Sequence, residues 1–440
     1  MSKPSLQNIR FSNKSSSISD TEIKEITSKF NTPLYVVDEQ TILDNLSSLE
    51  NSFNNYNGKT SIAYSIKSNF NPSIIEILNK EGILFDLTSL GEIYFFKQTN
   101  GNFDHILYTS ITEEENEFVA AMKSGISKFV IGSYNGLLNL ISASKLSQCR
   151  PKVLVRINPE IDVVADISAS SSMGKFGVPV DNLSNDDAFY IINKIYDSDI
   201  LEFYGIHFHL GSQISDPSCF VKTIDILASL ITKLQSNIDN FSLPILDIGG
   251  GTPVKYIQPV PSPDDIGKLI TDKLNMFIKS FNLSPILIVE SGRYLSAESA
   301  ILISKIVNSK TYPEGKFHIV DAGYNLLLDS ALMKQEYPID IITKSEIHSY
   351  ENIQIGGRLC DTLDTFQIPS DKKYPSAEIG DLVIFRNVGA YSIVFNMPFH
   401  CQTKPSILLR KRDQSIHIIR EEENIEDLFN SEGGNLISQQ

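Results

Sequence analysis

The chain has 440 residues, enough for one large domain and a smaller one. Its 41% hydrophobic and 21% charged residues are those of an ordinary globular protein, and no apolar run reaches the ~18 residues of a membrane span. A net charge of -15 argues against nucleic acid or an anionic membrane as partner, although backbone amides and a few cations can still build a pocket for an anionic cofactor.

Residues 1–20 are polar and Ser-rich and lack the apolar stretch of a secretory signal. The cysteines Cys149, Cys219, Cys360 and Cys401 stand far apart and form no CxxC pair. Neither a disulfide framework nor a structural zinc site is expected, and a cytoplasmic location is. The strand-like run Leu34–Val37 closes an N-terminal segment, residues 1–37, expected to pack with a later β domain.

Short apolar, β-branched or aromatic runs then recur. They are Ser61–Ile66, Ile83–Leu87, Ile106–Tyr108, Phe129–Ile131, Val153–Ile157, Phe203–Phe208, Ile245–Ile248 and Ile286–Val289. The first five begin 22 to 24 residues apart, room for a strand, a helix and two turns. Pro72–Lys80, Glu92–Gln98 and Thr112–Ser124 read as the first intervening helices. Alternation of this kind means parallel strands with right-handed crossovers. Eight such units favour an α/β fold of the (β/α)8 TIM-barrel type over residues 38–300, with an open doubly wound sheet as the alternative.

After Ala300 the pattern changes to irregularly spaced short runs, among them Ile301–Val307, Phe317–Asp321, Ile353–Ile355, Leu382–Phe385 and Ser406–Arg410. Residues 301–425 therefore read as a second, mainly β domain of sandwich or barrel type. Residues 426–440 are acidic and polar and are expected to be a disordered tail.

In a barrel of this kind the functional rim lies at the C-terminal strand ends. Polar residues collect there: Lys67 after the first run, Asp86 and Ser89 after the second, Arg156 and Asn158 after the fifth, and His209, Ser212 and Gln213 after the sixth. Gly249, Gly250 and Gly251 follow the seventh, and Glu290 and Arg293 the eighth. Lys67 continues Ala63–Ile66 with no turn residue between. It reads either as a lysine snorkelling to the rim or as a Schiff-base lysine whose charge burial would tune. The triple glycine is either a tight turn or a place where backbone amides approach a phosphate. Glu290 and Arg293 form either a local ion pair or part of a binding site. His207 and His209 share a face. They are core histidines or half of a metal site, for which no third ligand has persuasive spacing, so no metal is expected. In the second domain the polar turn Gly356–Asp364 carries Cys360, and Tyr391 follows Gly389-Ala390 as a packing residue or a phosphate donor.

Together these positions resemble one family, the fold-III pyridoxal-phosphate decarboxylases that act on diaminopimelate, ornithine and arginine. The resemblance runs from about Pro33 to about Phe399. It is carried by Tyr64-Ser65-Ile66-Lys67-Ser68-Asn69, Phe85-Asp86-Leu87-Thr88-Ser89-Leu90-Gly91-Glu92, Arg156-Ile157-Asn158-Pro159 and Lys175-Phe176-Gly177. Further on come His209-Leu210-Gly211-Ser212-Gln213, the triple glycine, Glu290-Ser291-Gly292-Arg293, Cys360-Asp361 and Gly389-Ala390-Tyr391. The order and detail are most similar to the diaminopimelate branch.

The resemblance implies pyridoxal 5'-phosphate as cofactor and a homodimer with active sites at the interface. It implies that Lys67 carries the Schiff base, that His209 stacks on the pyridine ring, and that Glu290 keeps the ring nitrogen protonated. Arg156 and Asp86 support that wall. Gly249, Gly250, Gly251, Ser212, Arg293 and Tyr391 hold the phosphate. Cys360 of a second copy protonates the carbanion, and Asp361, with Asp329, Arg293 and Tyr391, faces the substrate. Three departures bear on substrate. Ser291 replaces a proline, Asp361 stands where the diaminopimelate branch has Glu, and Gly323–Met333 lacks an Arg-Pro-Tyr pattern and carries Asp329-Ser330 and Met333 instead. A carboxylate in place of that arginine would repel a distal carboxylate and suit an amine, so a basic or specialised amino acid is the alternative substrate. The Ser-rich stretch Ile167–Met173 also departs from the family loop. A racemase, whose tyrosine would stand where Cys360 does, and a catalytically silent cofactor-binding relative are the competing readings.

Overall fold

The computed structural model describes residues 18–181, 184–347, 349–369 and 372–437, so most of the Ser-rich N-terminus and residues 438–440 lie outside the described residues. The chain divides into two compact units. One comprises Asn45–Val254 and Val260–Tyr294; the other comprises the residues up to Asp44, Lys255–Pro259 and those from Leu295 onward.

The first unit is a closed barrel. Its strands are β1 (Thr60–Ser65), β2 (Leu84–Leu87), β3 (Ile106–Tyr108), β4 (Lys128–Ile131), β5 (Lys152–Asn158), β6 (Glu202–His207), β7 (Ile245–Asp247) and β8 (Ile286–Ser291). Each pairs in parallel with the next, and β8 pairs with β1 to close the ring. All eight expected runs are strands, and the open-sheet alternative falls because the last strand finds the first. Closure leaves no exposed edge. The interior is filled by Ala63, Leu107, Val130, Leu154, Ile245 and Ile288, side chains from six strands packed as one cluster. Helices lie between the strands: Pro72–Lys80, which starts with proline behind an Asn71 cap, and Leu90–Gln98, capped by the Ser89 hydroxyl.

The second unit is built on a nine-stranded sheet. The strand Leu34–Asp38 lies inside it, antiparallel to Ala300–Tyr312 and parallel to Ile407–Arg410. All five of its residues are buried. Ile23, Ile26, Leu34, Val36, Ile303 and Leu408 belong to one apolar cluster there. The tail expected over 426–440 is instead helical over Ile425–Ser431 and Gly434–Ile437. The reason is local: the Asn424 side chain accepts the Asp427 N–H, and Leu428 is buried.

One polar cluster is sealed into this unit. Arg410 is 2% exposed, with Nε 2.9 Å from Glu22 Oε1 and Nη1 2.7 Å from Asp38 Oδ1. Glu22 also closes a capping box with Ser19 at the start of helix Asp20–Lys29. Removing the guanidinium leaves two buried carboxylates without their cation, and breaking such a cluster costs about 3–5 kcal/mol. Arg410→Ala should therefore lower unfolding free energy by about that much in a urea titration. A loss under about 1 kcal/mol would show that the cluster contributes nothing.

Candidate active site

The barrel rim is assembled from strand ends. β1 stops at Ser65, and Ile66–Ser68 form one 3-10 turn, in which the Asn69 N–H donates to the Ile66 carbonyl at 2.9 Å and Ser68 Oγ donates to the Ser65 carbonyl at 2.9 Å. Lys67 thus does not extend a buried strand, as the unbroken apolar run suggested. It stands on a turn with 41% of its side chain exposed, and its Nζ lies 3.4 Å from Asp86 Oδ2. Asp86 is buried near the end of β2, opposite Ser65 in register. Burial and then Glu290 push its carboxyl up, while Lys67 offsets part of that rise.

On the opposite arc, register places Arg156, His207 and Asp247 side by side on β5, β6 and β7. Asp247 pairs with Ile288 on β8, and Glu290 follows two residues later. Residues two apart point the same way, so these side chains share one face. His207 Nε2 is 3.2 Å from Glu290 Oε1, and His209 Nδ1 is 3.9 Å from Oε2. Burial alone would raise the Glu290 carboxyl, but His207, then Lys67 and His209, pull it down to about 2. Burial, reinforced by Lys67, lowers His209 to about 3, so its ring is neutral. Its Nδ1 accepts the Gly250 N–H at 2.9 Å. The guanidinium of Arg156 lies 4.5 Å from the centroid of the Phe176 ring. His207, Asp247 and Glu290 bring their donor atoms within 4.8 Å of one another, a grouping that the spacing of His207 and His209 alone did not reveal.

The triple glycine is a required cradle. Gly249 has φ +65° and Gly251 φ +117°, and a Cβ on Gly249 would meet the Phe208 carbonyl oxygen at 2.4 Å. Asp247 Oδ1 accepts the Gly249 N–H at 2.9 Å. Gln213 clasps the far side of the turn, donating to the Val254 carbonyl at 3.0 Å and accepting its N–H at 2.7 Å. Ser212 Oγ accepts from Arg293 Nε at 3.3 Å. The expected loop around Ile167 is partly a strand: Ala165–Ser168 pairs antiparallel with Gly211–Ile214, setting Ile167 opposite Ser212.

The other unit carries the remaining candidates. Cys360 is exposed, and its N–H donates to His400 Nδ1 at 3.3 Å. Asp361 accepts from the Tyr324 hydroxyl at 3.1 Å and from the Leu363 N–H at 2.9 Å. Asp329 lies on the short helix Leu328–Leu332. Tyr391 has φ +58° and stacks on Phe395 at 6.4 Å.

A family model described as "Pyridoxal-dependent decarboxylase, pyridoxal binding domain" matches residues 40–297, more than half of the chain. The chain belongs to the pyridoxal-dependent decarboxylase family. The diaminopimelate decarboxylase of Methanothermobacter thermautotrophicus is 28% identical over 94% of this chain and 94% of its own length. The crystal structure of the Helicobacter pylori diaminopimelate decarboxylase complexed with L-lysine superposes with TM-score 0.83 at 27% identity, covering 94% of this chain and 100% of that one. That of Methanocaldococcus jannaschii, also with L-lysine, gives TM-score 0.83 at 26% identity over 92% and 93%. This decarboxylase is a carboxy-lyase dependent on pyridoxal 5'-phosphate. Its barrel fits that cofactor: a cradle that any Cβ would fill, an amine on the rim beside a buried acid, and a buried carboxylate kept ionised. Among the described residues no helix is long and apolar enough to cross a membrane.

Sequence reading missed Glu113. It follows the β3 end in an acidic run that looks like an exposed helix start, yet it is buried with φ +51°. Its carboxylate accepts the Gly132 N–H and the Ser133 hydroxyl at the end of β4. Burial pushes it up to about 7, against the pull of those two donors. A folded-state value above the unfolded one means stability that is present in acid and lost as pH rises through about 7. The Glu113 contribution should therefore fall by on the order of 2 kcal/mol between about pH 5 and pH 9, and Glu113→Gln should remove that component of the slope in melting-temperature measurements. An identical slope in wild type and variant would contradict this.

Proposed function

We propose that this enzyme removes carbon dioxide from an α-amino acid of the diaminopimelate type, with Lys67 holding the cofactor. The observation that carries the reading is the rim itself, where Lys67 meets Asp86 while Glu290, His209 and the glycine cradle lie on neighbouring strand ends. Pyridoxal phosphate supplies an aldehyde that condenses with amines and a ring that accepts the electron pair left by carbon dioxide. Everything else falls to the chain. Asp86 keeps the Lys67 amine positioned and charge-balanced. Glu290, ionised, holds a proton at the ring nitrogen. Neutral His209 offers a flat face without competing charge. Arg156 supports the same wall, and the amides of Gly249–Gly251 with Ser212 and Arg293 bind phosphate. Cys360, exposed on its own unit, delivers a proton as part of a second copy, so the working form is a homodimer. A reducing, cytoplasmic setting is supported by four free cysteines.

A second reading concerns the substrate's far end. Asp361 and Asp329 are acids, and Asp364 behind them is buried and accepts the Tyr324 and Leu359 N–H groups. No arginine stands in Gly323–Met333. This favours a distal amine over a distal carboxylate, as in a lysine-like or ornithine-like substrate.

Two measurements test these readings, the first their common basis and the second the substrate's far end. Lys67→Ala should abolish covalent attachment of the cofactor to the chain on borohydride treatment and all carbon dioxide release. Retention of either would remove Lys67 from its role. On an amino-acid panel, Asp329→Arg should shift kcat/KM toward diaminopimelate relative to lysine by about tenfold. An unchanged ratio would mean that Asp329 does not face the substrate.

A further inference from the structure

We propose that His207 is the positioning residue for Glu290, holding one carboxylate oxygen so that the other is presented to the cofactor's ring nitrogen. This rests on the reading of Glu290 as the ring-nitrogen partner, and goes beyond it by assigning what fixes that carboxylate.

The geometry separates the two histidines. His207 ends β6, is fully buried, and sets Nε2 3.2 Å from Oε1. His209 is near Oε2, but its Nδ1 already accepts the Gly250 N–H. A nitrogen that accepts there carries a lone pair and cannot also donate to a carboxylate. Oε2 therefore receives nothing from His209 and stays available to an incoming N–H. Oε1 faces His207 Nε2 at 3.2 Å, within reach of a hydrogen bond that a small tilt of the ring would align.

Packing alone gives a poor account of His207. Both its ring nitrogens are buried without a well-aligned hydrogen bond among the described residues, and Nε2 has the 3.2 Å approach to Glu290 Oε1 as its polar contact. A buried polar group left in this state is destabilising where an aliphatic side chain of similar size would not be. The neighbouring acids make the same point. Asp86, Asp247 and Glu290 are all buried within one cluster that also holds Lys67 and Arg156. Burial and then Glu290 raise Asp86 and Asp247, with Asp247 driven well above the ordinary range. Glu290 alone among the three is lowered, and after burial the largest influence on it is His207. Among its neighbours His207 is thus the one that most favours the ionised Glu290 carboxylate, with Lys67 and His209 acting in the same direction.

The test uses holoenzyme reconstituted with cofactor labelled with 15N in the ring. Wild type, Glu290→Gln, His207→Leu, His207→Asn and His207→Gln are compared by the ring-nitrogen resonance, by cofactor dissociation constant, and by kcat and KM. Wild type should show a protonated ring nitrogen and Glu290→Gln an unprotonated one. His207→Leu and His207→Asn should move in the same direction as Glu290→Gln. They should weaken cofactor binding about tenfold and lower kcat while KM changes less than about twofold, the pattern of lost support behind a ligand. His207→Gln, whose longer amide can reach Oε1, should recover most of the wild-type resonance. If His207→Leu does not fold, His207→Asn against His207→Gln carries the comparison. A wild-type resonance in His207→Leu or His207→Asn, with Glu290→Gln still altered, overturns the role of His207 and leaves that of Glu290. An unchanged resonance in Glu290→Gln overturns the underlying reading as well.

Discussion

The pairing of the last barrel strand with the first is the contact on which the rest depends. Glu290 sits opposite Ala63 and Ser291 opposite Tyr64, so the ladder runs to within a few residues of Lys67. Residues remote in sequence become neighbours at one mouth only because the sheet twists shut. Register then decides what faces what. A slip of one residue on any strand would turn its rim side chain out of the barrel. The chemistry is thus as secure as the hydrogen bonds of eight short strands, and these are held by the apolar layer beneath them.

That mouth concentrates charge where water is scarce. Three buried acids lie among an ammonium and a guanidinium, with His207 3.2 Å from Glu290 and His209 neutral. Such an arrangement is poor for stability, since each group gives up hydration for partial compensation. It is well suited to an aromatic cation and a dianionic phosphate, which complete the balance when bound. Enzymes commonly spend folding energy in this way at their reacting centres.

Much of this could be read in the amino-acid order. Strand bodies were legible because β-branched runs at regular spacing admit few interpretations. Lys67, the triple glycine and Glu290 were legible because polar residues at strand ends interrupt an apolar pattern. What stayed hidden was non-local. Nothing near Glu113 marks it as buried, because the donors that bury it come from the end of the next strand. Phe176 lies over Arg156 by virtue of a loop path that periodicity does not encode. Asp247 looked like an ordinary residue before a glycine turn until register set it beside His207. The turn carrying Lys67 was missed because Ile66 is not a turn-forming type and Ser68-Asn69, which are, come only after the lysine, and the helices after Asn424 because composition alone suggested disorder there.

The cluster around Arg410 has a meaning for the two ends of the chain. Glu22 belongs to the earliest described helix and Arg410 to one of the last strands, yet each satisfies the other inside the second unit. The first helix cannot fray by degrees, since its departure takes one of the two carboxylates that balance a buried guanidinium and leaves Asp38 to do so. It behaves as a bolt, either shot or drawn. Proteolytic trimming that reached Glu22 would be felt across the whole sheet.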